Sequence, residues 1–257
     1  MREKTDLILA VTPAELSAAR SFHLPLAHVA YRIGGGPHLY RDQSPLPLRG
    51  GWMVIGDAGF DGRGDPAPFC QEVLRECAAR GFTGVICDFE GHLPLLGRIV
   101  SALSPLLAGK GWTLCVSEQY GTSSGTAKVL IPTALSGGSL RQRLEEAAAQ
   151  YGPGRVVLAV ERVAQDFFLP SPTGQGVPLT QEALRRKRQE LDPSIFFSNE
   201  LCAHYFTYMS RQSGAHFVLF DDASSIRKKL ALARSLDIAA AVLPFRDMAD
   251  LLPALSS

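Results

Sequence analysis

Eight short apolar runs, most of them followed by an amphipathic stretch, constrain the fold more than any other feature of this chain. They span Leu7 to Val11, Ala27 to Arg32, Trp52 to Gly56, Gly84 to Phe89, Thr113 to Ser117, Lys128 to Ile131, Arg155 to Glu161 and Ile238 to Leu243. A short run that is apolar without alternation reads as a strand covered on both faces, and strands interleaved with helices make a parallel sheet. Helical periodicity, with start signals at Thr12, Ser139 and Ser224, predicts helices over Ala14 to Phe22, Pro68 to Arg80, Leu93 to Ala108, Ser139 to Tyr151, Thr180 to Leu191 and Ser224 to Leu236. At 257 residues the chain has the length of one eight-stranded α/β barrel. The expectation is an α/β fold, a (β/α)8 TIM-type barrel forming a single domain over residues 1–257.

The alternation fails in two places. Between Gly34 and Gly51 a GGG and several prolines read as a loop. Between the seventh and eighth runs come a Pro/Gly-rich loop (Pro170 to Pro178), a helix, and two β-like segments, HYFTYM and HFVLF, joined by RQSG. This stretch, residues 163–220, reads as a small α+β insertion whose hairpin, Cys202 to Phe220, stands on the barrel's rim.

Composition removes several function classes. Lys+Arg 26 against Asp+Glu 25 leaves a net charge of +1, and the one basic run, Arg185 to Arg188, falls on a helical stretch as a solvated face, so nucleic acid is not an expected partner. Five cysteines without CxxC spacing read as small buried hydrophobes, and six histidines without HxH or HExxH spacing support no metal site. The glycine-rich segments GGGPH (34–38) and GTSSGTAK (121–128) do not fit a phosphate loop, and Ser136 in ALSGG lacks the GxSxG elbow, so no cofactor is expected. The apolar run from Leu7 to Val11 is too short for a signal core or a membrane span, which points to a cytoplasmic chain with no membrane segment.

The candidate chemistry lies in GFTGVICDFEG, residues 81–91, an apolar strand that ends in two carboxylates. Side chains alternate along a strand, so Ile86, Asp88 and Glu90 share one face while Val85, Cys87 and Phe89 share the other. Carboxylates at the carboxyl end of a barrel strand stand where such barrels do chemistry.

This segment resembles the signature D-G-x-D-x-D-x-E of the chitinase-like glycoside hydrolases of family 18, with Gly84, Asp88 and Glu90 matching and Thr83 and Ile86 standing in place of the other two acids. Trp52 to Gly56 with Asp57 to Phe60 resembles that family's third strand and its exit, WTLCVS its fifth strand and GPGRVVLAV its seventh. YFTYMSRQSG and HFVLFDDASSIRKKLALARSLDIAAAVLPF are similar to the spore-cortex and LysM-associated branch, where FDD or YDD precedes a helix and the eighth strand. The resemblance runs in order over residues 50 to 245.

The resemblance implies Glu90 as general acid and then base, and Asp88 as the carboxylate that orients a substrate acetamido group and stabilises the charge developing on it. The glycan would be a β-linked N-acetylhexosamine polymer of peptidoglycan, spore-cortex or chitin type. Departures accompany these matches: Ile86 removes the acid that would share a proton with Asp88, the sixth strand KVLIPTA lacks the family's Met-x-Tyr-Asp, and Leu243, Pro244 and Phe245 stand where a Trp would floor the sugar subsite. Tyr120 and Glu118 in SEQYG, Tyr205 and Tyr208 on the hairpin, and Phe245 are the candidate substrate-binding substitutes. The rival reading is a catalytically inactive carbohydrate-binding or scaffold protein on the same barrel.

Overall fold

The computed structural model describes residues 6–44, 46–135, 137–171 and 174–255; Ser136 lies outside them. Eight parallel strands close into a barrel: Asp6–Val11, Leu26–Gly34, Trp52–Gly56, Gly84–Asp88, Thr113–Ser117, Lys128–Pro132, Val156–Ala159 and Ala240–Pro244. Each pairs with its neighbours in sequence, and the first strand closes the ring by pairing with both the second and the eighth. The expected α/β barrel is therefore the observed one.

Alternation along the strands divides the core in two. Ile8, Ala27, Val54, Ile86, Cys115, Leu130 and Val157 meet inside the barrel. The residues between them, such as Leu9, Met53, Val85, Cys87, Val116 and Leu158, face outward against the helices. Pro66–Arg80 and Pro94–Ala108 cover this outer layer with Phe69, Val73, Leu96, Ile99 and Leu103. At the barrel's floor Trp52 lies against Gly84, where an added Cβ would stand 2.4 Å from the indole, so the fourth strand needs a glycine there.

Two segments depart from the sequence reading. The stretch read as a loop after Gly34 contains a strand, His38–Arg41, which folds back antiparallel on Tyr31–Gly34 through a turn with Gly36 at φ +69°. The helix expected over Ala14 to Phe22 shortens to Leu16–Ala19 plus a 3-10 turn, ended by His23 in the left-handed region.

Between the seventh and eighth barrel strands the chain builds a second, antiparallel sheet of five strands in the order Val177–Pro178, Ala164–Leu169, Gly214–Phe220, Ala203–Ser210, Phe196–Ser198. Helix Gln181–Leu191 covers one face, with Leu184 packed on Ala164, Phe206, Val218 and Phe220. The other face carries Val163, Phe167, Ala203 and Leu219, together with Tyr205 and Phe217, and packs on Ala134 from the loop beyond the sixth barrel strand. This sheet is joined to the barrel through a fully buried pair, Lys229 and Asp221, at 2.6 Å. Asp221 also accepts from the Ser225 hydroxyl and the Val163 N–H, so the buried carboxylate is saturated with donors.

Candidate active site

The fourth barrel strand delivers its carboxylates at the open end. Gly84 and Ile86 face the lumen, and Asp88, two residues further, is the last paired residue of the strand, opposite Gly56. Its outer edge meets solvent while protein crowds the rest, and this burial pushes the Asp88 carboxyl above the usual carboxylate range. The charges of Glu90 and Asp57 push it further the same way. Ile86 below it is buried in the apolar lumen and supplies no proton-carrying group.

Glu90 stands in the loop beyond the strand with its side chain exposed, and the main chain that carries it is clamped. Asp57, at the exit of the third strand and 8% exposed, accepts the N–H of Glu90 at 3.0 Å and that of Gly91 at 2.8 Å, one on each carboxylate oxygen. A Cβ on residue 91 would lie 2.7 Å from the same carboxylate, which is why a glycine follows the acid. Gln119 donates to the carbonyls of Phe89 and Gly91, the Tyr120 hydroxyl donates to the Gly91 carbonyl, and the buried Phe89 ring meets Tyr120 edge-on at 5.9 Å. Glu90 is thus an exposed carboxyl on a rigid support, the arrangement that positioned acid–base chemistry requires.

Several sequence-based site assignments are corrected by this geometry. Tyr120 is buried and acts on the Gly91 carbonyl from beneath, so it offers no ring to a ligand. Glu118 points to the helix layer, where it pairs with Arg143. Phe245 is buried against Phe22 in the outer core, because the short helix Phe245–Met248 turns it away from the mouth. Tyr208 lies on the face of the second sheet that helix Gln181–Leu191 covers; its hydroxyl donates to Asp166 and accepts from Lys187 while its ring stacks on His216.

Tyr205 lies on the opposite face, stacked between Phe196 at 5.6 Å and Phe217 at 5.2 Å, and Phe217 in turn meets Phe167. These rings make a row across four strands.

Two acids near the open end of the barrel escaped the sequence reading. Asp57 was absorbed into the exit of the third strand, although a lone Asp directly after WMVIG is the available signal. Glu161, just past the seventh strand, was read as a strand end; it borders a groove of about 540 Å³ lined also by Ala134, Gln165, Thr180, Arg185 and Asp247. That volume is within the usual range of small-ligand sites. Among the described residues no group of three or more His, Cys, Asp or Glu is arranged to hold a metal ion, and no helix is long and apolar enough to cross a membrane.

The sequence matches no protein-family model and no curated relative. Solved structures do match. The chain is similar to a chitinase of Chromobacterium violaceum (13% identity, TM-score 0.74, 98% of each chain covered) and to the spore cortex-lytic enzyme SleL of Bacillus megaterium (14% identity, TM-score 0.71, covering 100% of this chain and 74% of that one). It is also similar to a GH18 chitinase of Cycas revoluta solved with (GlcNAc)3 (12% identity, TM-score 0.66, covering 97% and 98%). The chain therefore has the barrel fold of the family 18 chitinases and of the spore cortex-lytic enzyme SleL.

Proposed function

We propose that this chain is a glycoside hydrolase that cleaves β-linked N-acetylhexosamine glycans of the peptidoglycan, spore-cortex or chitin type. The observation that carries the reading is the exposed Glu90 carboxyl on a loop held by Asp57, Gln119 and Tyr120, with the crowded Asp88 two residues behind it. The fold shared with chitinases and a cortex-lytic enzyme supports it.

In this mechanism Glu90 donates its proton to the glycosidic oxygen, and the acetamido oxygen of the substrate attacks the anomeric carbon as the bond to the leaving sugar breaks. Asp88, as a carboxylate, stabilises at close range the positive charge that develops on the acetamido group. Glu90, now ionised, takes a proton from the water that opens the cyclic intermediate, which restores the acid. At the end of the row Phe196, Tyr205, Phe217, the exposed Phe196 ring is the one open to stack on a sugar, while Tyr205 and Phe217 back it.

Turnover of a chromogenic chitobioside and of purified muropeptides tests the reading. Glu90→Gln is expected to remove nearly all activity, and Asp88→Asn to lower kcat on the order of 10²-fold, the usual loss for one preorganised electrostatic contact. Activity unaffected by Glu90→Gln would exclude Glu90 as the acid. Binding of N-acetylated oligosaccharides without turnover would identify the inactive binder.

A further inference from the structure

The face of the second sheet that helix Gln181–Leu191 covers carries a chain of polar side chains that the cleft does not use. Asp166, His216 and Tyr208 come from its three central strands: Asp166 is in register with Val218, and His216 with both Phe168 and Tyr208, so alternation puts all of them on one face. Asp166 is buried there, and its carboxylate accepts from the Tyr208 hydroxyl at 2.7 Å and from His216 Nδ1 at 2.8 Å, with the Lys187 ammonium at 3.1 Å. Burial works to raise the Asp166 pKa, but the bonds from Tyr208, His216 and Lys187 outweigh it and hold the carboxyl below its usual range. Asp166 is therefore an anion that can only accept.

That anion fixes the histidine. Nδ1 carries the ring proton, so Nε2 presents a lone pair, and the Ser213 hydroxyl donates to it at 2.7 Å. The ring is held in place by stacking on Tyr208 at 4.5 Å and 15° and by Phe168, which crosses it at 5.8 Å and 66°. Ser213 stands in the turn between strands Ala203–Ser210 and Gly214–Phe220 and is exposed, where solvent satisfies a hydroxyl, so folding does not require its bond to Nε2. The next residue, Gly214, is at φ +85°, and a Cβ there would stand 3.4 Å from the exposed Phe168 ring, which sets an apolar surface beside the serine.

We propose that Ser213, His216 and Asp166 are the nucleophile, the base and the positioning carboxylate of a second catalytic site, which takes a short-chain carboxylic ester at the exposed hairpin turn. The Ser213 oxygen attacks the ester carbonyl carbon while its proton passes to His216 Nε2. The tetrahedral intermediate collapses, the bond to the alcohol oxygen breaks, and that oxygen takes the proton from Nε2, which leaves the acyl group on Ser213. Water then gives a proton to Nε2 and its oxygen attacks the acyl carbon; the carboxylic acid departs and Ser213 recovers its proton. Ester and water become acid and alcohol, with no further reactant. One ring, Phe168, is the apolar contact beside the serine, which suits a small acyl group.

The test treats the full chain with a fluorophosphonate probe, locates the label by peptide mass, and uses 4-nitrophenyl acetate as the ester. The label is expected on Ser213 ahead of the other serines. Ser213→Ala, a change at an exposed turn, should abolish that label and lower ester turnover while leaving glycan turnover as it was. His216→Gln should slow labelling on the order of 10²-fold, the usual contribution of a general base. Asp166→Asn keeps the shape of the side chain but can donate to Nδ1, which turns the imidazole to the wrong tautomer. The ring-nitrogen NMR signals of His216 should report that change together with the loss of labelling, which a loss of packing alone does not produce. A Ser213 labelled no faster than the other exposed serines of the folded wild type overturns the proposal. So does a Ser213 label whose rate is unchanged in folded His216→Gln.

Discussion

Asp57 and Glu90 are joined through the main chain and not through their side chains: the Asp57 carboxylate receives the N–H groups of Glu90 and Gly91, while the Glu90 carboxyl is left to solvent. Support and function are thereby divided between two acids at the ends of adjacent strands. Asp57→Ala leaves two N–H groups without their acceptor and is expected to cost about 1–3 kcal/mol of stability, read from the midpoint of urea unfolding. Turnover should fall more than stability alone explains, because a loosened loop misplaces the acid. Asp57→Asn keeps one acceptor oxygen and should recover part of both.

An acid introduced at position 86 should destabilise the barrel. Ile86 is 2% exposed and surrounded by Ile8, Val54, Cys115 and Leu130. Ile86→Asp buries a carboxyl with no partner, and a loss of at least about 2 kcal/mol is expected, with the new carboxyl protonated at neutral pH. Chemical denaturation at two pH values checks this: the loss should grow as pH rises, since the charged form is the costly one.

The Lys229–Asp221 pair gives a different kind of prediction. Lys229→Met alone strands a buried carboxylate and should cost about 3–5 kcal/mol, whereas the double change Lys229→Met with Asp221→Leu should cost less than the sum of the single changes. A double-mutant cycle by thermal or urea unfolding measures the coupling. Additive single effects would mean that the pair does not act as a unit.

His28 sets an expectation for pH. Its ring is 1% exposed, Nε2 lies 3.1 Å from the Gly50 carbonyl, and Nδ1 has no partner among the described residues. Burial is the main cause that holds its pKa below 6.5; the Gly50 carbonyl opposes this, and the Arg20 charge adds to it. Because the folded value is the lower one, the unfolded chain binds a proton that the folded chain resists as pH falls below 6.5. The stability contributed by neutral His28 is thus complete above that pH and is lost as pH falls toward the folded value. The wild-type advantage over His28→Gln should shrink between neutral and mildly acidic pH; a constant difference would contradict it.

How much of this was readable beforehand depended on whether the signal was local. Trp52–Gly56 and Thr113–Ser117 coincide with their apolar runs to the residue, because strands buried on both faces begin and end where the apolar run does. Ala164–Leu169 was missed as a strand because its partner, Gly214–Phe220, lies some fifty positions away, with the pair Asp166 and Val218 in register. The site divided in the same way. Asp88 and Glu90 showed in the alternation of one strand, but Asp57 acts on main-chain N–H groups, which every residue has and no sequence pattern marks. Tyr120 reads as a rim residue and Phe245 as a stand-in at the floor of the sugar subsite because an aromatic just past a strand reads alike whichever way it turns; the 3-10 turn Glu118–Tyr120 and the helix Phe245–Met248 bury both.

The second sheet leaves and rejoins the barrel through a neck. Asp221 and Val163 are 58 positions apart, yet the Asp221 N–H donates to the Val163 carbonyl at 2.8 Å and the Asp221 carboxylate receives the Val163 N–H at 2.9 Å. From the barrel's side the whole intervening segment therefore begins and ends at one point, as a tight turn does. Lengthening, shortening or reshaping the wall of the cleft changes what lies beyond the neck and leaves the spacing of the seventh and eighth strands as it is. The same scaffold can thus be refitted beyond the neck without moving Asp88 or Glu90.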